Sequence, residues 1–151
     1  MREIERILDL HKRAYEGNAW HGPSVLEALS GVGADKAAAN PVADAHSIWQ
    51  IVLHITAWER GVRLRLEGNE VTLTAERDWP PIKDVSSASW KETLDHLDHE
   101  HQFLHQAIAK LSDDSLEKRL PGSPYDAYVT LHGVIQHDLF HAGQIMLLKK
   151  G

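Results

Sequence analysis

Apolar residues recur along this chain at alternating spacings of three and four, the period of a helix with one buried face. Four long segments carry that pattern. The first runs from about Arg2 to Tyr15, with Ile4, Ile7, Leu8, His11 and Ala14 on one stripe, and Gly17-Asn18 ends it. A turn at Trp20-His21-Gly22-Pro23-Ser24, a short helical piece Val25 to Leu29, a break at Gly31-Val32-Gly33 and an Ala-rich connector to Pro41 follow. The second long helix is expected from about Asp44, as N-cap, to Leu66, on a stripe of Ile48, Ile51, Val52, Ile55, Trp58 and Val62. Residues 70–86 show no lasting period, contain Trp79-Pro80-Pro81, and read as an ordered loop with at most a scrap of strand at Val71 to Leu73. The third helix is expected near Ser89, which with Glu92 forms an S-x-x-E capping box. Trp90, Leu94, Leu97, His101, Leu104, Ile108 and Leu111 then make a coiled-coil-like seam. After a connecting turn at Asp113 to Leu120 and breakers at Pro121-Gly122 and Pro124, the last helix starts between Asp126 and Thr130 and runs to Lys150. Leu131, Val134, Ile135, Ile145 and Leu148 form its apolar face. Four such helices with two longer connections predict an all-α four-helix bundle, one domain over residues 1–151.

Composition narrows the function. The 16 Lys+Arg against 22 Asp+Glu leave a net charge of −6, which argues against nucleic acid and against a polybasic membrane contact. No apolar run reaches the ~18 residues of a membrane span. The charged start Met1-Arg2-Glu3-Ile4-Glu5-Arg6 does not read as a signal peptide. With 0 cysteines there is no disulfide, no thiolate ligand and no Cys nucleophile, which fits a cytoplasmic location. The 11 histidines change the picture, because imidazoles without thiols point to metal or proton chemistry where they converge.

Three of them share an inward phase. His137 and His141, four apart, lie within the stripe of Val134 and Ile145, and Gly133 leaves open space one turn before. An i, i+4 pair lets one helix aim two imidazoles at one point. His54, three after Ile51 and four before Trp58, sits near the middle of the second long helix. An antiparallel pairing would bring the three together as a His₃ site with open coordination positions. The rival set is His101, on the seam of the third helix, with His105 one turn on and His11 on the first helix. These read as ligands, as neighbours of ligands, or as pocket walls. His96 and His99, beside the acids, read as solvated. There is no E-x-x-H di-iron pattern and no H-E-x-x-H.

The segment Gly133-Val134-Ile135-Gln136-His137-Asp138-Leu139-Phe140-His141-Ala142-Gly143-Gln144-Ile145 resembles the C-terminal signature of the DinB/YfiT-like family of metalloenzymes. Ala19 to Ser24 with Leu26 to Leu29, Ser47 to Glu59, and Asp78-Trp79-Pro80 also resemble it, so the likeness runs in order along nearly the whole chain. The resemblance implies a four-helix bundle and a divalent metal on one His of the second long helix and two of the last. These carry over to His54, His137 and His141. It also implies homodimers, and S-transferases and isomerases that use a low-molecular-weight thiol.

An open divalent metal on three neutral ligands would activate water or a thiol, so the expected activity is transfer of a thiol to a small-molecule electrophile, or hydrolysis. Zinc suits the donor set best, and nickel is also compatible. Gln144, three after His141, is a candidate to orient a ligand, and Trp58, Trp79 and Trp20 are candidates for an apolar mouth. Arg65 lies eleven residues after His54 and reads either as an anion contact or as a surface ion pair. No general base stands out. Non-catalytic alternatives are a metal-binding stress-response bundle and a structural helical dimer with inert histidines.

Overall fold

The computed structural model describes residues 1–151. Four long helices, α1 (Glu3–Glu16), α4 (Ile48–Leu66), α6 (Ser87–Ala109) and α7 (Ala127–Leu148), form a bundle. The short helices α2 (Val25–Leu29), α3 (Ala34–Ala38) and α5 (Ala75–Asp78) lie in its connections. There is no strand at Val71 to Leu73; the only β pairing is an isolated bridge between Arg119 and Asp126. The Ala-rich connector and the long loop each contain a short helix that their weak periodicity did not reveal. No helix is long and apolar enough to cross a membrane.

Helix starts follow local side-chain chemistry, in two cases not at the expected residue. The second long helix is capped by Ser47, whose hydroxyl accepts from Gln50 N–H while Gln50 Oε1 accepts from Ser47 N–H. Asp44 instead sits in a left-handed turn at φ 62°, outside the helix. The third is capped by Ser86, which accepts from Ser89 N–H, while the Asp84 carboxylate accepts from both hydroxyls. Ser89 is thus the donor to the cap, inside the first turn. The last helix is capped by Asp126, accepting from Val129 N–H. For α1 the orphan donors of Glu3 and Ile4 are met from far along the chain by the Asp113 carboxylate, 3.0 Å from each.

Cross-bundle contacts define the topology. Trp49 meets Thr93 and Arg63 meets Glu100, so α4 and α6 run parallel, joined by the crossover of residues 67–86. His11 meets Glu59, and Tyr15 meets Asp98, so α1 runs against both. His54 meets His141, and five residues on Glu59 faces Asp138, so α7 runs antiparallel to α4. The crossover lies back on α4: Arg65 donates to Val71 C=O at 2.9 Å, and the side chains of Val71 and Leu73 pack over Gly61, where a Cβ would touch them.

The interior has two apolar halves. One gathers Tyr15, the α2 and α3 residues, Ile48 to Ile55, Trp90, Leu97 and Ile145. The other gathers Ile4, Ile7, Val62, Leu104, Ile108, Leu131 and Val134. On each long helix a buried polar residue falls between the two sets: His11, Glu59, His101 and Asp138.

Candidate functional site

Two clusters of metal-ligating side chains result. The first joins His54 of α4 to His137 and His141 of α7. His137 Nε2 lies 3.0 Å from His54 Nε2 and 3.1 Å from His141 Nε2. The antiparallel packing puts the centre of α4 opposite the centre of α7, which is what brings residues from helices 83 positions apart into contact.

Outer partners decide which way the rings point. His54 Nδ1–H donates to Asp78 C=O at 2.7 Å and lies 3.0 Å from the Asp78 carboxylate. His141 Nδ1–H donates to Gln144 Oε1 at 2.7 Å. A neutral ring that spends its proton at Nδ1 presents a lone pair at Nε2. Both flanking lone pairs therefore face His137 Nε2, which carries at most one proton and can serve only one of them, and His137 Nδ1 is buried without a partner. Burial pushes the His137 pKa down to about 3, helped by the two neighbouring rings, and lowers those of His54 and His141. Three neutral imidazoles with converging lone pairs fit a divalent cation of the zinc or nickel type, with positions left open.

The crossover builds the wall. Asp78 accepts from Trp58 Nε1–H at 2.8 Å, so one carboxylate positions both His54 and Trp58. Trp79 stacks on His54 with centroids 3.8 Å apart and planes 2° from parallel, and His46 stacks on its other face at 3.5 Å. Phe140 closes on His141 edge-on at 5.1 Å. Trp20, a mouth candidate, is fully exposed and does not join the wall, whereas Trp90 is core as its seam position predicts, its indole donating to Val32 C=O. Arg65 is engaged with the crossover, roughly 16 Å along α4 from His54 by helical rise, and does not meet the histidines. A groove of about 1000 Å³ runs beside α4 past Arg60, Arg77, Lys83 and His99 and does not contain the three histidines either.

The second cluster holds His11, Glu59 and His101, all fully buried, with Asp138 against Glu59. His11 Nε2 lies 3.3 Å from Glu59 Oε2, and His101 Nδ1 lies 3.7 Å from Glu59 Oε1. Burial pushes Glu59 up to about 7 and depresses His11 to about 4 and His101 to about 2. His101, a site candidate from its seam position, thus belongs here, with His105 at its edge, 3.3 Å from His11. His96 and His99 are exposed.

Sequence reasoning assigned no role to Asp78, Glu59 or Asp138. A signal existed for the last two: Glu59 is four after Ile55 and three before Val62, and Asp138 is four after Val134 and four before Ala142, so each places a carboxylate on an apolar stripe. For Asp78 only the fold of the crossover supplies one.

A family model described as the DinB superfamily matches residues 20–145, which include all three histidines of the first cluster and three of the four members of the second. No curated protein matches the chain.

Proposed function

We propose that this chain, which belongs to the DinB superfamily, is a one-domain divalent-metal enzyme whose ion sits on His54, His137 and His141. The observation that carries the reading is the pair of Nδ1–H bonds to Asp78 and Gln144, which leaves two Nε2 lone pairs aimed at a third imidazole. Outward hydrogen bonds of this kind are the usual companions of metal-bound histidines. A bound zinc or nickel ion supplies Lewis acidity and a positive charge that favours an anionic nucleophile. The chain itself supplies orientation: Asp78 and Gln144 fix the tautomers, and Trp58, Trp79 and Phe140 exclude water around the rings.

With no cysteine in the sequence, a thiol nucleophile has to come from a cosubstrate. The reading is a transferase that delivers a low-molecular-weight thiol to a small electrophile, with thiol-independent hydrolysis as the second outcome. The test is consumption of a model electrophile by zinc- or nickel-loaded protein with and without a small thiol. Metal-dependent turnover that rises with thiol supports transfer, and metal-dependent turnover indifferent to thiol supports hydrolysis. Absence of both, with metal bound, leaves a non-catalytic binding protein.

A cytoplasmic homodimer completes the proposal. Its support is the outer face of α7, where exposed Val129, Phe140 and Leu147 alternate with Gly133 and Gly143, and nothing lies within 4 Å of either glycine's Cβ position. A helix apolar on both faces needs a second partner, and small residues let another helix approach closely. Sedimentation at micromolar concentration is expected to return twice 17.0 kDa.

A further inference from the structure

We propose a second, closed metal site in the bundle core, built from His11, Glu59 and His101 with Asp138 as an additional carboxylate, and separate from the three-histidine cluster. Each of the four long helices contributes one of these residues: the donor atoms of His11, Glu59 and His101 lie within 4.8 Å of one another, and Asp138 faces Glu59. All four are buried: 0 % exposed for His11, Glu59 and Asp138 and 2 % for His101.

The polar bookkeeping of this layer closes only with a proton shared between Glu59 and Asp138 or with a cation among the donors. His11 can donate one proton to Glu59, yet Glu59 Oε1, His101 Nδ1 and both Asp138 oxygens remain without a hydrogen-bond partner. These are four of the seven orphaned buried side-chain atoms of the whole chain, and all belong to the three residues Glu59, His101 and Asp138, the last of which faces the first. Buried polar groups are almost always satisfied, so a concentration of orphans marks an absent ligand. Every orphan but one is a carboxylate oxygen, and the remaining one is an imidazole nitrogen, so the ligand is a cation that accepts lone pairs.

Spacing and charge agree. Donors at ~2.1 Å from a tetrahedral ion lie roughly 3.4 Å from each other. His11 Nε2 lies 3.3 Å from Glu59 Oε2 and His101 Nδ1 lies 3.7 Å from Glu59 Oε1, so each carboxylate oxygen has one imidazole nitrogen at that spacing. A dication with Glu59 and Asp138 ionised is neutral overall, whereas two facing carboxylates without it cannot both stay charged in a dry interior. Two imidazoles and a carboxylate select a first-row divalent ion such as zinc, iron(II) or manganese(II). Enclosure by four helices makes it a structural ion taken up as the bundle forms.

The test is made in a chain stripped of the other cluster. His54→Ala/His141→Ala protein is unfolded in urea with chelator, refolded with zinc, desalted, and its metal counted. One retained ion per chain, lost on adding Glu59→Gln with His101→Ala, is the expected result. Circular dichroism of both proteins checks that they have refolded. Cobalt(II) in the same protein should give a visible spectrum that added thiol does not change, because no position is open. No retained ion in the correctly refolded two-His variant, or an ion that survives the Glu59 and His101 changes, overturns the proposal. The three-histidine reading fails by a different pattern: wild-type protein would lose no metal when His54 and His141 are replaced.

Discussion

The two histidine clusters use the same side chain in opposite settings. Around His54, His137 and His141 the protein provides acceptors outside the ring of donors, namely Asp78 C=O and Gln144, and leaves the inner nitrogens facing one another. Around His11 and His101 it provides carboxylates inside, and stacks the rings on each other and on Tyr15, with centroids 4.2 and 3.9 Å apart. The first cluster is walled by a loop and the second by four helices. An imidazole set with external acceptors and a loop wall keeps open positions for a substrate, whereas one closed by core helices and internal carboxylates serves stability. Burial alone does not separate them, since His54, His141, His11 and His101 are all buried.

Ways to break the comparison begin with the first cluster. His137→Ala should lower metal affinity there by more than 100-fold, since it removes the donor shared by the two short contacts; competition with a chromogenic chelator measures it. In the second cluster the larger effect is on folding. Glu59→Ala strands His11 and His101 beside Asp138, and should cost about 3 kcal/mol or more in urea unfolding. A Glu59→Ala protein as stable as wild type would contradict the reading of this layer as a buried polar keystone.

The response to pH sharpens the contrast. In metal-free protein the six core and cluster histidines, His11, His54, His101, His105, His137 and His141, all have folded pKa values below 6.5. Such groups bind more protons unfolded, so their stability is fully present above 6.5 and is lost as pH falls towards their folded values, about 4 for His11 and about 3 for His137. Glu59 runs the other way: raised from 4.5 to about 7, it contributes stability below 4.5 that is lost as pH rises through 7. Chemical denaturation of chelated protein should therefore show a loss below pH 6 that is reduced in His11→Ala. It should also show a loss near pH 7 that Glu59→Gln removes.

Smaller effects come from the walls. Gln144→Ala removes the acceptor that orients His141 and should weaken metal binding about 10- to 100-fold with little change in fold. Trp79→Ala removes the stack on His54 and His46 and should cost roughly 1 kcal/mol in thermal unfolding. Because Trp79 lies against His54, nickel binding should quench its fluorescence, and the quench should vanish in the Trp79→Ala variant.

Much of this molecule is legible as pattern. The period of three and four locates all four long helices, and the His137–His141 spacing with the phase of His54 points at one place. Cap positions were legible only in part. Ser47-x-x-Gln50 carries a capping box, but Asp44 competes for it, and the choice rests on a left-handed turn that sequence does not display. The run Ser86-Ser87-Ala88-Ser89 holds three hydroxyls of equal propensity; Asp84 accepts from those of Ser86 and Ser89, and Ser86 takes the cap.

By itself the sequence determined the helical class, the inward face of each helix and the phase of the histidines, because these depend on periodicity within about twenty residues. Tertiary structure alone decided the rest. The crossover of residues 67–86 runs α6 parallel to α4 and lays Asp78 and Trp79 on His54, through contacts 24 positions apart. The same arrangement brings His11, Glu59 and His101 together from three helices and sets Asp138 of the fourth against Glu59. Periodicity tells which way a side chain faces, but its height against a neighbouring helix is set by loop length and packing, and those contacts have no local signature.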